Sequence, residues 1–461
     1  MGITWSTFKQ AIRGAQVDYT TEVLERAVVL LAIPMVLEMV MESIFVVVDA
    51  YWVSSLGPDA VATIGLTEAI MTVIYALASG IARAASAMVA RRIGEKAHQR
   101  AAATAAQALV LGSGVAAVVG FAGAVFGPQL LAMMGGDPQL VATGGGFARV
   151  MLGGSATVFL LFISDSVFRS AGDAAIAMRT LWLSNLLNIV LGPCFIFGLG
   201  PFPRMGVTGA AIATTIGRGT GVLYQVLQIA RRRSTIVIRF QDLRVDWPSL
   251  RAITRLAASV WLQTLISTTS WLGLIRLLTP FGSVVVAGYT LAIRVVMFAT
   301  LPAWGLANAT ATLVGQNLGA RKPERAERAV WIAARYDVVF LGVVGLVFLV
   351  APGPIIGLFH AGPEAIAAGT TALRTLAPGF PLFAAAMVLM GAFNGAGDTW
   401  VPTLLNAVCF WLWEIPLAGA LGYGTGLRER GVFIAVTIAF STMAVTAVLL
   451  FRRGRWKDKH L

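Results

Sequence analysis

The sequence predicts an all-α polytopic membrane protein: twelve transmembrane helices in two homologous six-helix bundles related by a pseudo-twofold axis along the membrane normal. Three observations lead there. Of 461 residues, 57% are hydrophobic and 12% charged, and the mean hydropathy is +0.79, too apolar for a soluble chain of this length. Nearly uncharged runs of span length recur from end to end. The two halves of the chain match each other at a single offset.

The opening WSTFKQAIRG puts Trp5, Phe8 and Ile12 on one helical face with Lys9 and Arg13 beside it, so an interfacial helix is expected within an N-terminal segment, 1–24. This segment lacks a signal-peptide layout, and MGITWS matches only a bare myristoylation pattern. Spans are expected near 25–53, 60–82, 98–125, 138–164, 173–198 and 207–230, then 250–279, 285–312, 326–351, 364–392, 400–423 and 431–451. A helix needs about 20 residues to cross a hydrocarbon core of roughly 30 Å. Alternating ten-residue strands do not recur, which excludes an outer-membrane barrel. The domains follow: an N-lobe at 25–230, a polar cytoplasmic linker at 231–249, a C-lobe at 250–451 and a basic cytoplasmic tail at 452–461.

A formal charge of +13 could point to nucleic acid, but its distribution points to topology. Arg91, Arg92, Lys96 and Arg100, then Arg231, Arg232, Arg233, Arg239 and Arg244, then Arg321, Lys322, Arg325 and Arg328, and finally RRGRWKDKH all fall on one side of the spans. The opposite loops hold little beyond Arg204, Arg428 and Arg430. Both termini are therefore expected in the cytoplasm, with the chain multi-pass in the inner (plasma) membrane and no nucleic-acid partner. Cys194 and Cys409 fall inside spans and read as small apolar residues.

Shifting the chain by 225 residues pairs Gly57 with Gly282, Gly94 with Gly319, Arg100 with Arg325, Pro138 with Pro363 and Arg149 with Arg374. It also pairs FRSAGD at 168–173 with FNGAGD at 393–398, and Gly206–Val207 with Gly431–Val432, essentially without gaps. The AGD stretches read as cytoplasmic elbows, glycine making the turn and aspartate starting the next helix. Two parallel six-span repeats suit alternating access around a midplane site, hence a transporter.

A charge at the bilayer centre costs on the order of 3 kcal/mol, so acids inside spans are the functional candidates. Glu38, Glu42 and Asp49 on the first span lie within roughly 40° of one another and form a stripe about 16 Å long. Their counterparts Gln263, Ser267 and Leu274 are uncharged, so the stripe belongs to one half only. Each acid either pairs with a buried arginine such as Arg83, Arg169, Arg179 or Arg218, or faces water near a helix end, or serves as a site for H⁺ or Na⁺. Asn185, Asn188 and Thr214 could complete a cation site or act as interhelical glue. Glu68 and Asp165 are further intramembrane acids. Glu414 is expected either to be neutralised by Arg276 or Arg294 or to meet a cationic ligand beside Trp411 or Trp413. Pro34 could bend the first helix.

AIPMVLEMVMESIFVVVDAYWV, the turn GEKAHQRA with its partner VGQNLGARKPERAERA, the duplicated AGD elbow and NIVLGPCFIFG together resemble the MATE family, multidrug and toxic compound extrusion transporters. The resemblance covers essentially all twelve spans. It implies efflux of bulky, often cationic organic compounds in exchange for H⁺ or Na⁺ by a rocker-switch, without a cofactor and as a monomer. It also implies that Asp49, with Asn188 and Thr214, lines the N-lobe cation site, the only metal expected being Na⁺ at Asp49. Glu38 and Glu42 join the coupling set, while Asn185, Glu68, Glu414, Trp411 and Trp413 are candidates for the substrate cavity. This chain departs from the family pattern in having Gly192 rather than an acid before Pro193, and no acid at 259–279.

Two other readings compete. A lipid-linked precursor flippase should line its cavity with arginine or lysine, where the first helix offers acids. A passive channel could not drive a substrate uphill. An enzyme is not expected: His98, His360 and His460 lie in loops, at a span end or in the tail, and neither HExxH nor CxxC occurs.

Overall fold

Prolines and glycines punctuate this chain where its apolar runs end. The computed structural model describes residues 5–14, 17–359 and 361–459, apart from the side chains of Ser54 and Pro58. The start of the myristoylation-like stretch, His360 and His460 lie outside them. An amphipathic helix α1 (Trp5–Arg13) precedes α2 (Leu24–Ser54), α3 (Pro58–Gly94), α4 (His98–Met133), α5 (Pro138–Gly153), α6 (Ser155–Ala171), α7 (Ala174–Phe197) and α8 (Val207–Ala230). The second half holds α9 (Trp247–Leu278), α10 (Ser283–Gly319), α11 (Pro323–Val350), the short α12 (Pro352–Gly357), α13 (Pro363–Leu376), α14 (Phe380–Ala396), α15 (Trp400–Asn406), α16 (Ile415–Gly424) and α17 (Glu429–Arg452). Helices α3, α5, α11 and α13 open on proline, whose missing N–H is unneeded in a first turn.

Ten helical segments among the described residues are long and apolar enough to cross a membrane. Helices α8 and α9, of 24 and 32 residues, complete the expected twelve with more polar sequences. The protein is thus an all-helical, multi-pass membrane protein. It divides into two compact units, Met1–Tyr19 with Val29–Ala258, and Thr20–Val28 with Ser259–Leu461.

The repeat is written into backbone geometry as well as sequence. Helices α3 and α10 start and stop 225 residues apart, and Lys96 and Arg321 at the following turns share a left-handed φ of 57° and 58°. The elbows Gly172 and Gly397 have φ 95° and 83°, and each donates back into the last turn of α6 or α14. The gapless match fails at the last helix of each half. Gly206 and Arg428, 222 residues apart, take the same cap conformation (φ 56° and 54°, ψ −135° in both). The turn before α17 is shorter than the one before α8, and a π-helical stretch at Ala407–Glu414 adds width to the preceding span. Pro416 follows it and cannot donate to Leu412, which frees the ladder to widen.

The elbow aspartates do not cap the next helix as expected, since neither α7 nor α15 receives a side-chain cap bond. Instead each fastens the segment trailing its own half. Asp173 accepts from the Thr235 amide at 2.6 Å and hydroxyl at 3.2 Å. Asp398 pairs with Lys459 at 3.1 Å. Burial raises the Asp173 carboxyl above the ordinary carboxylate range, the Thr235 donors opposing it. The linker is held further by Gln107, which donates to the Asp242 and Arg244 carbonyls at 2.9 and 2.6 Å and accepts from the Asp246 amide at 3.0 Å.

Candidate functional site

The polar groups of the first unit gather on α2, α3, α6, α7 and α8, and small residues decide how closely those helices approach. On α8, Gly217 faces the Ser184 carbonyl of α7 so closely that a Cβ there would lie 2.6 Å from the oxygen. Gly221, one turn on, faces the Ser184 hydroxyl, where a Cβ would not fit. Such contact brings the Asn188 amide within 2.8 Å of the Thr214 hydroxyl, which itself donates to the Ala210 carbonyl at 2.9 Å. Both side chains are buried.

The acidic stripe of α2 meets a different partner at each level. Glu38, 2% exposed, takes Arg169 of α6 at 2.6 Å, leaving its second oxygen without a hydrogen-bond donor. Glu42 accepts from the Asn185 amide of α7 at 3.0 Å. Asp49, half-buried about two turns beyond, makes no hydrogen bond or ion pair among the described residues; Arg218 of α8 is the cation whose field it feels. Arg218 also interacts with the charges of Glu42 and Glu68, donates to the Tyr75 hydroxyl at 2.9 Å and sits 5.6 Å from that ring's centre. Asp165 of α6 lies in the field of Glu38 and Arg169 and accepts from the Gln225 amide at 2.6 Å.

The structure therefore joins Glu42 to Asn185 and Asn188 to Thr214, and sets Asp49 and Glu68 around Arg218. It does not bring Asp49 into hydrogen-bonding contact with Asn188 or Thr214. No cluster of three or more His, Cys, Asp or Glu side chains able to hold a metal occurs among the described residues, so Na⁺ at Asp49 would rely on neutral oxygens. At Gly192 a Cβ would meet only the Asn188 side-chain oxygen, at 3.8 Å, so space exists where the family pattern has an acid.

In the second unit the counterparts are neutral. Ser267, the counterpart of Glu42, accepts from the Asn406 amide at 2.8 Å, while the 225-residue shift puts Phe410 in the place of Asn185. Gln263 and Asn394 stand where the first unit has Glu38 and Arg169, and each keeps an oxygen without a donor. Glu414 ends the π-helical stretch with 3% exposure, and neither Arg276 nor Arg294 reaches it: both are exposed and no ion pair with it forms among the described residues. The arginines face outward from their helices, while the widened turn carries Glu414 inward, to where it senses Tyr289. Trp411 donates to the Ile266 carbonyl and Thr269 hydroxyl, both at 3.3 Å, with its ring half out, like that of Trp413.

One acid escaped the sequence reading. Asp337 of α11 is 1% exposed and neither carboxyl oxygen has a hydrogen-bond partner. It stands in the buried row Ala333, Asp337, Leu341 and Gly345, so helical spacing from Pro323 was the signal that could have found it.

The MatE family model matches residues 34–194 and 256–419, one segment in each half. A probable multidrug resistance protein of Bacillus subtilis, YoeA, is 24% identical over 444 residues, covering 95% of either chain. An FAD transporter of Shewanella oneidensis is 24% identical over 89% of this chain and 90% of its own. Among solved structures, an outward-facing multidrug resistance MATE transporter of the MOP superfamily superposes with a TM-score of 0.88 at 27% identity, covering all of both chains. Two matched halves, the duplicated helical frame and full-length likeness agree: the chain belongs to the MatE family of membrane transporters.

Proposed function

We propose that this chain is a secondary active antiporter of the plasma membrane, exporting organic, often cationic compounds in exchange for H⁺ or Na⁺ by rocker-switch alternating access, with both termini cytoplasmic. The observation that carries the reading is the state of Asp49: a half-buried carboxylate inside a span, without a hydrogen-bond donor of its own. Of the three acids in the stripe, it is the one left open to an incoming cation. Loading it with H⁺ or Na⁺ removes a charge beside Arg218 and Glu68, and their mutual balance then changes. Glu42 and Asn185 sit one level away and sense the same arginine, and Asn188 with Thr214 offers neutral oxygens on the adjoining helix face. The likeness to named multidrug resistance proteins supports drug-like substrates.

The test is transport of a fluorescent organic cation into proteoliposomes under an imposed pH or Na⁺ gradient, wild type against Asp49→Asn. Uphill movement with one gradient identifies the ion, and its loss in the variant is expected. Undiminished gradient-driven transport by the variant would sink the role of Asp49. A second reading, export of an anionic compound, draws on the FAD transporter relative, and a fluorescent anion in the same vesicles separates the two.

A further inference from the structure

Helix α1, the elbow after α6 and the end of α8 enclose a cavity of about 240 Å³ in the first unit. Its wall carries three arginines, Arg13, Arg179 and Arg233, and a single acid, Asp173. That acid is already engaged, since both its oxygens accept from Thr235. None of the three arginines has an acid within ion-pair distance among the described residues. Arg179 holds the end of α1 by donating to the Ile12 and Arg13 carbonyls at 2.9 and 2.6 Å, whereas the side chains of Arg13 and Arg233 make no hydrogen bond among the described residues.

Two further features face the same space. Gln228 is 9% exposed and lines the cavity, and its side-chain amide makes no hydrogen bond among the described residues. A ligand with acceptor oxygens would take up that free amide donor. The 24-residue helix α7 begins at the cavity wall without a side-chain cap, so its positive end also faces inward. Excess positive charge, an idle amide donor and an uncapped helix start define a receptor for a compact oxyanion.

Helix α1 indicates where such an oxyanion comes from. Trp5 is 77% exposed and stacks on Phe8 at 5.3 Å, an aromatic pair suited to the headgroup level of a bilayer, and the same helix forms one wall of the cavity. We propose that the cavity formed by Arg13, Arg179, Arg233 and Gln228 binds a phosphoryl group, that of an anionic lipid headgroup, and thereby pins α1 against the elbow.

The experiment uses the full-length protein in detergent. Phosphatidylglycerol or phosphatidylcholine is titrated by native mass spectrometry, and inorganic phosphate by thermal shift. One phosphatidylglycerol is expected to bind about tenfold more tightly than phosphatidylcholine, and less so at high salt. Arg233→Gln and Gln228→Leu should each weaken it at least about fivefold, while Arg204→Gln, outside the cavity, leaves it unchanged. The side chains of both test residues make no hydrogen bond or ion pair among the described residues, so the variants' melting temperatures should match wild type. Stabilisation by inorganic phosphate, lost in both variants and without phosphatidylglycerol preference, would keep the phosphoryl site but overturn the lipid. Equal binding of both lipids with no phosphate effect, or variants that bind as wild type does, would overturn the proposal.

Discussion

Because the two halves descend from one pattern, the second supplies a natural test for the Glu38–Arg169 pair. Its counterpart positions hold Gln263 and Asn394, so Glu38→Gln and Arg169→Asn copy a combination the fold already accommodates. At the observed 2.6 Å, and with an effective dielectric of about 20, the gross attraction is about 6 kcal/mol, much of it offset by desolvation. Arg169→Asn alone leaves a carboxylate that is 2% exposed without its cation, a loss of about 3–5 kcal/mol. Glu38→Gln alone should cost less, about 1–3 kcal/mol, because the Arg169 side chain is 17% exposed and can reach water, though Arg83 repels it. The double variant should return to within about 1 kcal/mol of wild type. For a unit of this size, the Arg169→Asn loss corresponds to a fall in melting temperature on the order of 10 °C. Fluorescence-detected size exclusion after heating, run on all four proteins, reads the cycle. A double variant no more stable than Arg169→Asn refutes the pairing argument. If the double variant is stable but no longer transports, Glu38 has a coupling role beyond its ion pair.

Three further outcomes follow from the geometry. Gly217→Ala should destabilise by about 1–3 kcal/mol, because its Cβ meets the Ser184 carbonyl at 2.6 Å, whereas Gly219→Ala, with nothing nearer than 3.9 Å, should be silent; equal melting temperatures would contradict the close approach of α7 and α8. Asp337→Leu should raise stability by about 1–3 kcal/mol by removing two orphan oxygens, and a lowered melting temperature would mean that the carboxyl has an unseen partner. Asp173 has a raised folded pKa, so the stability it contributes is complete below its unfolded value near 4 and is lost as pH rises through the folded value. The advantage of wild type over Asp173→Asn should therefore widen on acidification, read as slower tryptic cleavage at Arg231–Arg233, and an advantage that shrinks on acidification would reverse the assignment.

Local rules made the frame legible. Span length, proline at helix starts and glycine at the elbows depend on near neighbours, so the twelve helices and the 225-residue repeat could be read from the chain. The acids of α2 were legible as a stripe because helical spacing is fixed, but their fates were not. Glu38 meets Arg169 across 131 positions, and Asn185 meets Glu42 across 143, distances that only packing resolves. The elbow aspartates were misread for the same reason: a cap is the local default, and Thr235, 62 residues on, outcompetes it. Asp337 stood inside the expected span 326–351 but alone, with no second acid on its face to form a stripe like that of α2.

The two elbow clasps also bear on ancestry. Asp398 grips Lys459 in the tail, where Trp456 is buried against Phe451 and Lys457 reaches Glu327 at 2.6 Å; Asp173 grips Thr235 at the matching point after α8. A single ancestral half would then have ended in a short extension tucked beneath its own elbow. Gene duplication and fusion would then have turned the first copy's extension into the bridge between the copies. Residues 231–246 are on this view an inherited tail that kept its berth, so deletions there should harm the first half even when the bridge still spans.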